Sequence, residues 1–117
     1  MIKRFKDALQ GIAAVAATQF NFRFHLTASV FVSIAGFYFK INRGEWIAVL
    51  LSIGLVMITE TINTSIEFLA DAVTKERRED IRKVKDVAAG AVLIAAIVAA
   101  VIGIIIFAPK IYFMFWN

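Results

Sequence analysis

The sequence predicts an all-α integral membrane protein in which an N-terminal amphipathic surface helix precedes three membrane-spanning helices. Three observations carry this reading. The 117 residues are 61% hydrophobic, with a mean hydropathy of +0.79, well above the roughly 45–50% apolar content of soluble domains. Charged residues gather at the ends of apolar segments instead of alternating through them, as spanning helices require. Lys and Arg are also distributed unequally between the two sides. With the N-terminus inside, the inner side carries Lys3, Arg4, Lys6, Arg23, Lys75, Arg77, Arg78, Arg82, Lys83 and Lys85, and the outer side only Lys40, Arg43 and Lys110. This positive-inside bias places residues 1–22 and 74–86 in the cytoplasm. The net charge of +4, concentrated at segment ends, suits anionic lipid headgroups better than nucleic acid.

The chain is short enough for a single domain, 1–117. It has no cysteine, which excludes disulfides and thiolate metal sites. Residues 1–22 open with Lys3, Arg4 and Lys6, followed by Phe5, Leu9, Ile12 and Ala16 at helical spacing. This is the pattern of a helix lying in the interface. A signal peptide is the competing reading, but Gln10, Gly11, Thr18 and Gln19 interrupt the apolar run.

The first span is Phe24 to Phe39, bounded by Arg23 and Lys40, with His25 as an interfacial group at its start. Its sixteen residues fall slightly below the usual range of roughly 17–25. Tyr38 and Trp46 flank the polar turn 40–45 as aromatic-belt residues would. The second span runs from Trp46 to Leu69 and leads into the charged run Thr74–Asp86, by default a solvated loop. The third span, Val87 to Ala108, is expected to end at Pro109, with an aromatic anchor at 111–116. Its Ala91, Ala95, Ala99 and Gly103 recur every four residues, a small-residue ridge that lets helices approach closely in lipid.

The second half of the second span carries Glu60, Asn63, Glu67 and Asp71. At about 100° per residue, Asn63 lies roughly 60° behind Glu60, Glu67 about 20° behind and Asp71 about 20° ahead. The four form one stripe, and carboxylates at membrane depth need a compensating metal, proton or partner. Three spans are too few to seal them from lipid within one chain, so a homo-oligomer is expected. Across the charged run lie Lys85 and Asp86, preceded by Arg77, Arg78, Arg82 and Lys83. Carboxylates can hold Mg²⁺ that also binds substrate phosphates, cations can neutralise those phosphates, and a further carboxylate can take a proton from a hydroxyl. These are the parts that phosphoryl transfer from a nucleotide requires, although no P-loop or kinase glycine-rich loop is present.

The block Glu60-Thr-Ile-Asn63-Thr-Ser-Ile-Glu67-Phe-Leu-Ala-Asp71, the fourteen-residue step to Lys85, and the run Lys85-Asp86-Val-Ala-Ala-Gly-Ala-Val resemble the small integral-membrane diacylglycerol kinase family of bacteria. Its Gram-positive branch contains the undecaprenol kinases, and the segment Asn21–His25 is similar to that branch. The likeness extends from about Phe5 to Phe107. It implies a homotrimer that uses ATP and Mg²⁺ to phosphorylate a membrane lipid alcohol, undecaprenol or diacylglycerol, at the cytoplasmic face of the bacterial inner membrane. It further implies that Glu60 is the base acting on the lipid hydroxyl, that Glu67 is a metal ligand, and that Asn63 lies beside it. Asp71, Glu76, Arg77, Arg78, Lys85 and Asp86 fall where the family handles the nucleotide, and Ala89 where it places a lipid-contacting small residue. In one position the chain departs from the family, with Gln19 where a glutamate usually supplies a second metal ligand. A neutral amide oxygen still binds Mg²⁺ but removes one negative charge, so weaker metal binding is expected. Two other readings of the same residues are a small proton-coupled transporter using Glu60 and a non-catalytic kinase-like membrane scaffold.

Overall fold

A computed structural model describes residues 1–116, and every element in them is helical. The order is α1 (Ile2–Thr18), α2 (Phe20–Tyr38), α3 (Arg43–Val73) and α4 (Glu79–Trp116). Among the described residues α3 and α4 are long and apolar enough to cross a membrane. The protein is therefore an all-helical chain built around two long apolar helices.

The α1–α2 boundary differs from the expected one. The sequence suggests a surface segment over 1–22, whereas the break falls at Gln19 and residues 20–23 are the first turn of α2. Gln19 is extended (φ −111°, ψ 111°). The last carbonyls of α1, which lack intrahelical donors, are served by Arg23, whose Nη1 donates to Ala16 O at 2.9 Å and Ala17 O at 3.0 Å. A cation at a helix C-terminus also suits the helix dipole. Phe5, Leu9 and Ile12 lie exposed on α1, where only Val15 is buried.

The α2–α3 connection is a tight hairpin. Ile41 N–H donates to Gly36 O at 3.1 Å and Lys40 N–H to Phe37 O at 3.3 Å, the paired closure of a Schellman motif. Lys40 takes the left-handed position normally given to glycine, with φ +53°. Asn42 and Glu45 then cap α3 reciprocally: Asn42 Oδ1 accepts from Glu45 N–H at 2.8 Å, and Glu45 Oε1 from Asn42 N–H at 3.0 Å. The absence of a side chain at Gly36 makes room for Trp46, since a Cβ there would meet the indole Cη2 at 2.7 Å.

Helices α3 and α4 run antiparallel, pinned at both ends. Lys110 Nζ bonds Glu45 Oε2 at 2.6 Å near the hairpin, and Lys85 Nζ bonds Asp71 Oδ1 at 2.8 Å near the other end. The apolar core gathers at the hairpin end, where Ile41, Val49 and Ile106 are surrounded by Val32, Phe39, Trp46, Ile102 and Phe107. Toward the opposite end α4 buries small residues, Ala95 and Ala88. Of the expected ridge, Ala95 is buried, Ala99 and Gly103 are half-buried, and Ala91 is exposed. The packing face rotates off that line to include Ala88 and Ile106 instead.

Two further expectations are corrected. Pro109 does not end the third apolar helix, because α4 continues through it to Trp116. An interior proline removes one backbone bond, which neighbours in an apolar helix can re-satisfy. The carbonyl left without its donor is that of Ile105; beside it Lys110 Nζ donates to Ile106 O at 3.1 Å and to Glu45 Oε2 at 2.6 Å, tying this turn of α4 to α3. Nor is Thr74–Asp86 a loop throughout. Only residues 74–78 connect the helices, and residues 79–86 form the first turns of α4, with Glu79 and Asp80 in its first turn, where negative charge is favoured.

Candidate active site

The side chains that bear chemistry collect at the end of the α3–α4 pair away from the hairpin. Within α3, Val49, Ser52, Val56, Glu60 and Thr64 are buried at steps of three and four residues, so Glu60 occupies a core-facing position. It is 3% exposed. Among the described residues its Oε1 has no hydrogen-bond partner, although His25 Nε2 of α2 lies 3.4 Å away. Thr64, one turn on, donates to the Glu60 carbonyl at 2.9 Å and directs no side-chain bond at the carboxylate.

Further along the stripe the environment opens. Asn63 and Glu67 are half-buried and Asp71 is exposed. Asn63 Nδ2 donates to Glu67 Oε1 at 3.4 Å, so the predicted neighbours do meet. Among the described residues Asn63 Oδ1 is buried without a partner. Among the described residues no three His, Cys, Asp or Glu side chains converge on one point. A divalent cation carried on nucleotide phosphates needs only one or two protein carboxylates. The Glu67 carboxylate and the orphaned Asn63 oxygen fit that requirement. Gln19, the other expected ligand, sits at the α1–α2 break with its Nε2 donating to Thr18 Oγ1 at 3.3 Å, and makes no recorded bond to Glu67.

At the mouth of the stripe a mixed-charge cleft of about 530 Å³ is lined by Asp71, Glu76, Arg77, Arg78, Arg82 and Lys85, among others. The short connection that forms its rim is held by Thr74 Oγ1, which accepts from Glu76 N–H at 3.1 Å. Three of its cations already have partners. Arg78 grips Asp80 through Nε (3.1 Å) and Nη2 (2.6 Å), and Arg82 lies 3.6 Å from Glu79 and 3.7 Å from Asp86. The ammonium of Lys85 holds the Asp71 carboxyl below its usual range through their hydrogen bond, and Asp71 raises Lys85 in return. Asp86 is exposed on the first turns of α4, lined with Arg82 and Lys83 around a second, shallower depression. Ala89, one residue beyond buried Ala88, faces outward from the single chain.

The residue that sequence reading passed over is His25. Its place at the start of the first span suggests an interfacial group, yet its Nε2 lies 3.4 Å from Glu60 Oε1 across helices. One signal was available. His25 and Glu60 both lie roughly four turns from the intervening hairpin at 3.6 residues per turn, so antiparallel pairing brings them to similar depth.

The arrangement of a buried carboxylate on α3, half-buried oxygen donors one and two turns beyond it, and a cation-rich cleft at the start of α4 has a counterpart among known sequences. The pattern described as prokaryotic diacylglycerol kinase matches residues 6–107. The chain belongs to this family. It is 39% identical over 108 residues to the undecaprenol kinase of Bacillus subtilis (strain 168), covering 92% of this chain and 88% of the relative. It is 36% identical over 104 residues to a diacylglycerol kinase of Synechocystis, with 88% of this chain and 59% of the relative covered. The Escherichia coli K12 diacylglycerol kinase is 29% identical over 101 residues, 86% of this chain and 83% of that protein. Membership makes this chain a lipid kinase of a membrane family, and the transporter reading of Glu60 falls away with it.

Proposed function

We propose that this lipid kinase phosphorylates undecaprenol in preference to diacylglycerol, with Glu60 as the general base. Phosphorylation of a lipid alcohol by ATP follows from the family. The choice of lipid rests on the higher identity to the undecaprenol kinase, 39% against 36% and 29% for the two diacylglycerol kinases. The base assignment rests on one observation above the others: a carboxylate 3% exposed whose Oε1 lacks a hydrogen-bond donor. A buried acceptor left unpaired costs roughly 1–3 kcal/mol or more, and a lipid hydroxyl is a donor that would relieve it.

In this reading α1 lies on the inner leaflet, α2, α3 and α4 cross the membrane, and the charged cleft opens to the cytoplasm. Positive charge at that end and the exposed apolar side of α1 support this orientation. The lipid enters sideways past Ala89, which keeps a small side chain on the exposed face of α4. Glu60 accepts the hydroxyl proton. Asn63 and Glu67 offer oxygens for Mg²⁺, which when bound neutralises charge on the transferred phosphoryl group. Arg77, Arg78, Lys85 and Arg82 hold the nucleotide phosphates, the last three exchanging their present acidic partners for them, while Glu76 and Asp71 set the charge of the cleft and Asp86 that of the depression beside it. Positioning and fixed charge do most of the work, as in phosphoryl transfer generally.

The test is reconstitution in lipid nanodiscs with labelled ATP, offering undecaprenol and diacylglycerol separately. Labelled undecaprenyl phosphate is expected to form at the higher kcat/KM. Faster labelling of diacylglycerol overturns the substrate assignment, and no labelled lipid at any Mg²⁺ concentration supports the scaffold reading instead.

A further inference from the structure

We infer that His25 is the proton exit of the active site, returning Glu60 to its basic form after each turnover. The inference rests on Glu60 being the base, and it addresses a consequence of where that base sits. A carboxylate that has taken a proton must lose it before the next cycle, yet the Glu60 side chain is only 4% exposed. His25 is 25% exposed and places Nε2 3.4 Å from Glu60 Oε1, the same oxygen that lacks a hydrogen bond. Imidazole is the side chain suited to accept a proton on one nitrogen and release another from the second near neutral pH.

Among the described residues of α2, α3 and α4 no competing group is placed to do this. On α2 the nearest charged residue, Arg23, is turned away to cap α1 through Ala16 and Ala17. On α3 the next acid, Glu67, accepts from Asn63 and lies two turns beyond. Helix α4 carries no ionisable residue between Asp86 and Lys110, and presents Ala95 and Ala99 instead. Beside the imidazole the α2–α3–α4 junction holds a cavity of about 120 Å³ lined by His25, Ser29 and Ser52 among others, which leaves open space along the ring.

The step balances without a further reactant. The lipid O–H bond breaks as its oxygen forms a bond to the γ-phosphorus, and the bond from that phosphorus to the leaving oxygen of ADP breaks. The proton passes to Glu60, then to Nε2 of neutral His25, and the resulting imidazolium loses a proton from Nδ1 to water. One proton is released per lipid phosphorylated, and nothing is oxidised or reduced.

Two variants test the relay. His25→Gln keeps an N–H to offer Glu60 but cannot carry a proton through. Its kcat is expected to fall about tenfold or more, the lower end of proton-transfer effects, with the lipid KM within about twofold of the parent. His25→Ala is expected to regain turnover on addition of imidazole, in proportion to its concentration, while non-basic thiazole has no effect. Parental kcat in His25→Gln, or a loss in His25→Ala that imidazole does not repair in protein of parental oligomeric state, overturns the relay. Glu60→Gln, assayed in parallel, keeps the two ideas apart. If it is inactive while His25→Gln is fully active, the base stands and the relay falls; if it is active, the base assignment itself falls.

Discussion

Glu60 costs this protein stability. An acidic side chain buried among Val56, Thr64 and the α2–α3 packing, with an unpaired oxygen, gains little from its surroundings and loses its hydration. Glu60→Gln should therefore fold at least as well as the parent, with an equal or higher thermal midpoint, while kcat drops by about 10²- to 10⁴-fold. Activity and melting in the same nanodiscs check both halves, and undiminished turnover would refute the assignment. Gly36 makes the opposite case, of a residue that matters only through shape. A methyl group there would stand 2.7 Å from the Trp46 ring and 3.1 Å from Ile41 Cδ1, so Gly36→Ala should destabilise the hairpin by about 1–3 kcal/mol, as overpacking does, without changing KM for ATP at the far end. At Gln19, restoring the acid by Gln19→Glu should lower the Mg²⁺ concentration needed for half-maximal rate. An unchanged Mg²⁺ dependence would place Gln19 outside the metal site. Glu60 was legible in the sequence because it interrupts an apolar run, and burial of the interrupting acid follows from periodicity. His25 was not, because its significance arises from a contact between helices that no pattern within α2 encodes.

The helices owe their limits to a few local devices, and these were legible to different degrees. The start of α3 could be read from Asn42 followed three residues later by Glu45, and both halves of that capping box form. The continuation of α4 past Pro109 could not, since the contact that ties this turn down, Lys110 Nζ to Glu45 Oε2, joins two helices. The charged run was misread as loop for a related reason: its residues from Glu79 onward satisfy one another along a helix, Arg82 reaching both Glu79 and Asp86. The same logic gives a pH dependence. Lys85 holds Asp71 below its ordinary carboxyl value, so this pairing contributes to stability above that ordinary value and is lost as pH falls through the lowered folded value. Acidification should loosen the 74–78 end of the α3–α4 pair. Lys85→Met should remove that part of the acid sensitivity, measured as the shift of thermal midpoint between neutral buffer and buffer below the ordinary carboxyl value. Hydrogen exchange at the start of α4 should rise in parallel, because exposed pairs resist local opening only weakly.

At the scale of the whole molecule, the single chain leaves its polar stripe only partly covered. Asn63 and Glu67 are half-buried, Asp71 is open, and the outward face of α4 presents Val87, Ala89, Leu93, Ile94 and Ile97. Apolar exposure alone demands nothing in a bilayer, because lipid tails satisfy leucine and isoleucine as well as protein does. Oxygen-bearing side chains at membrane depth are different, since lipid gives them no donor and they must face protein or water. The half-buried Asn63 and Glu67 and the open Asp71 therefore argue for neighbouring copies that enclose the stripe and leave its cleft open to water. Small residues on the exposed face, Ala89 and Ala91, permit close approach of such a neighbour. The assembly expected from the family resemblance is a homotrimer. Native mass spectrometry of protein released from nanodiscs should show three copies of the 13.0 kDa chain. Activity should fall with the trimer population as detergent dilutes it, because each copy would lose the cover over its own stripe. A monomer that retains full turnover at the same detergent concentration would show instead that one chain encloses a working site, and that the outward face of α4 meets only lipid.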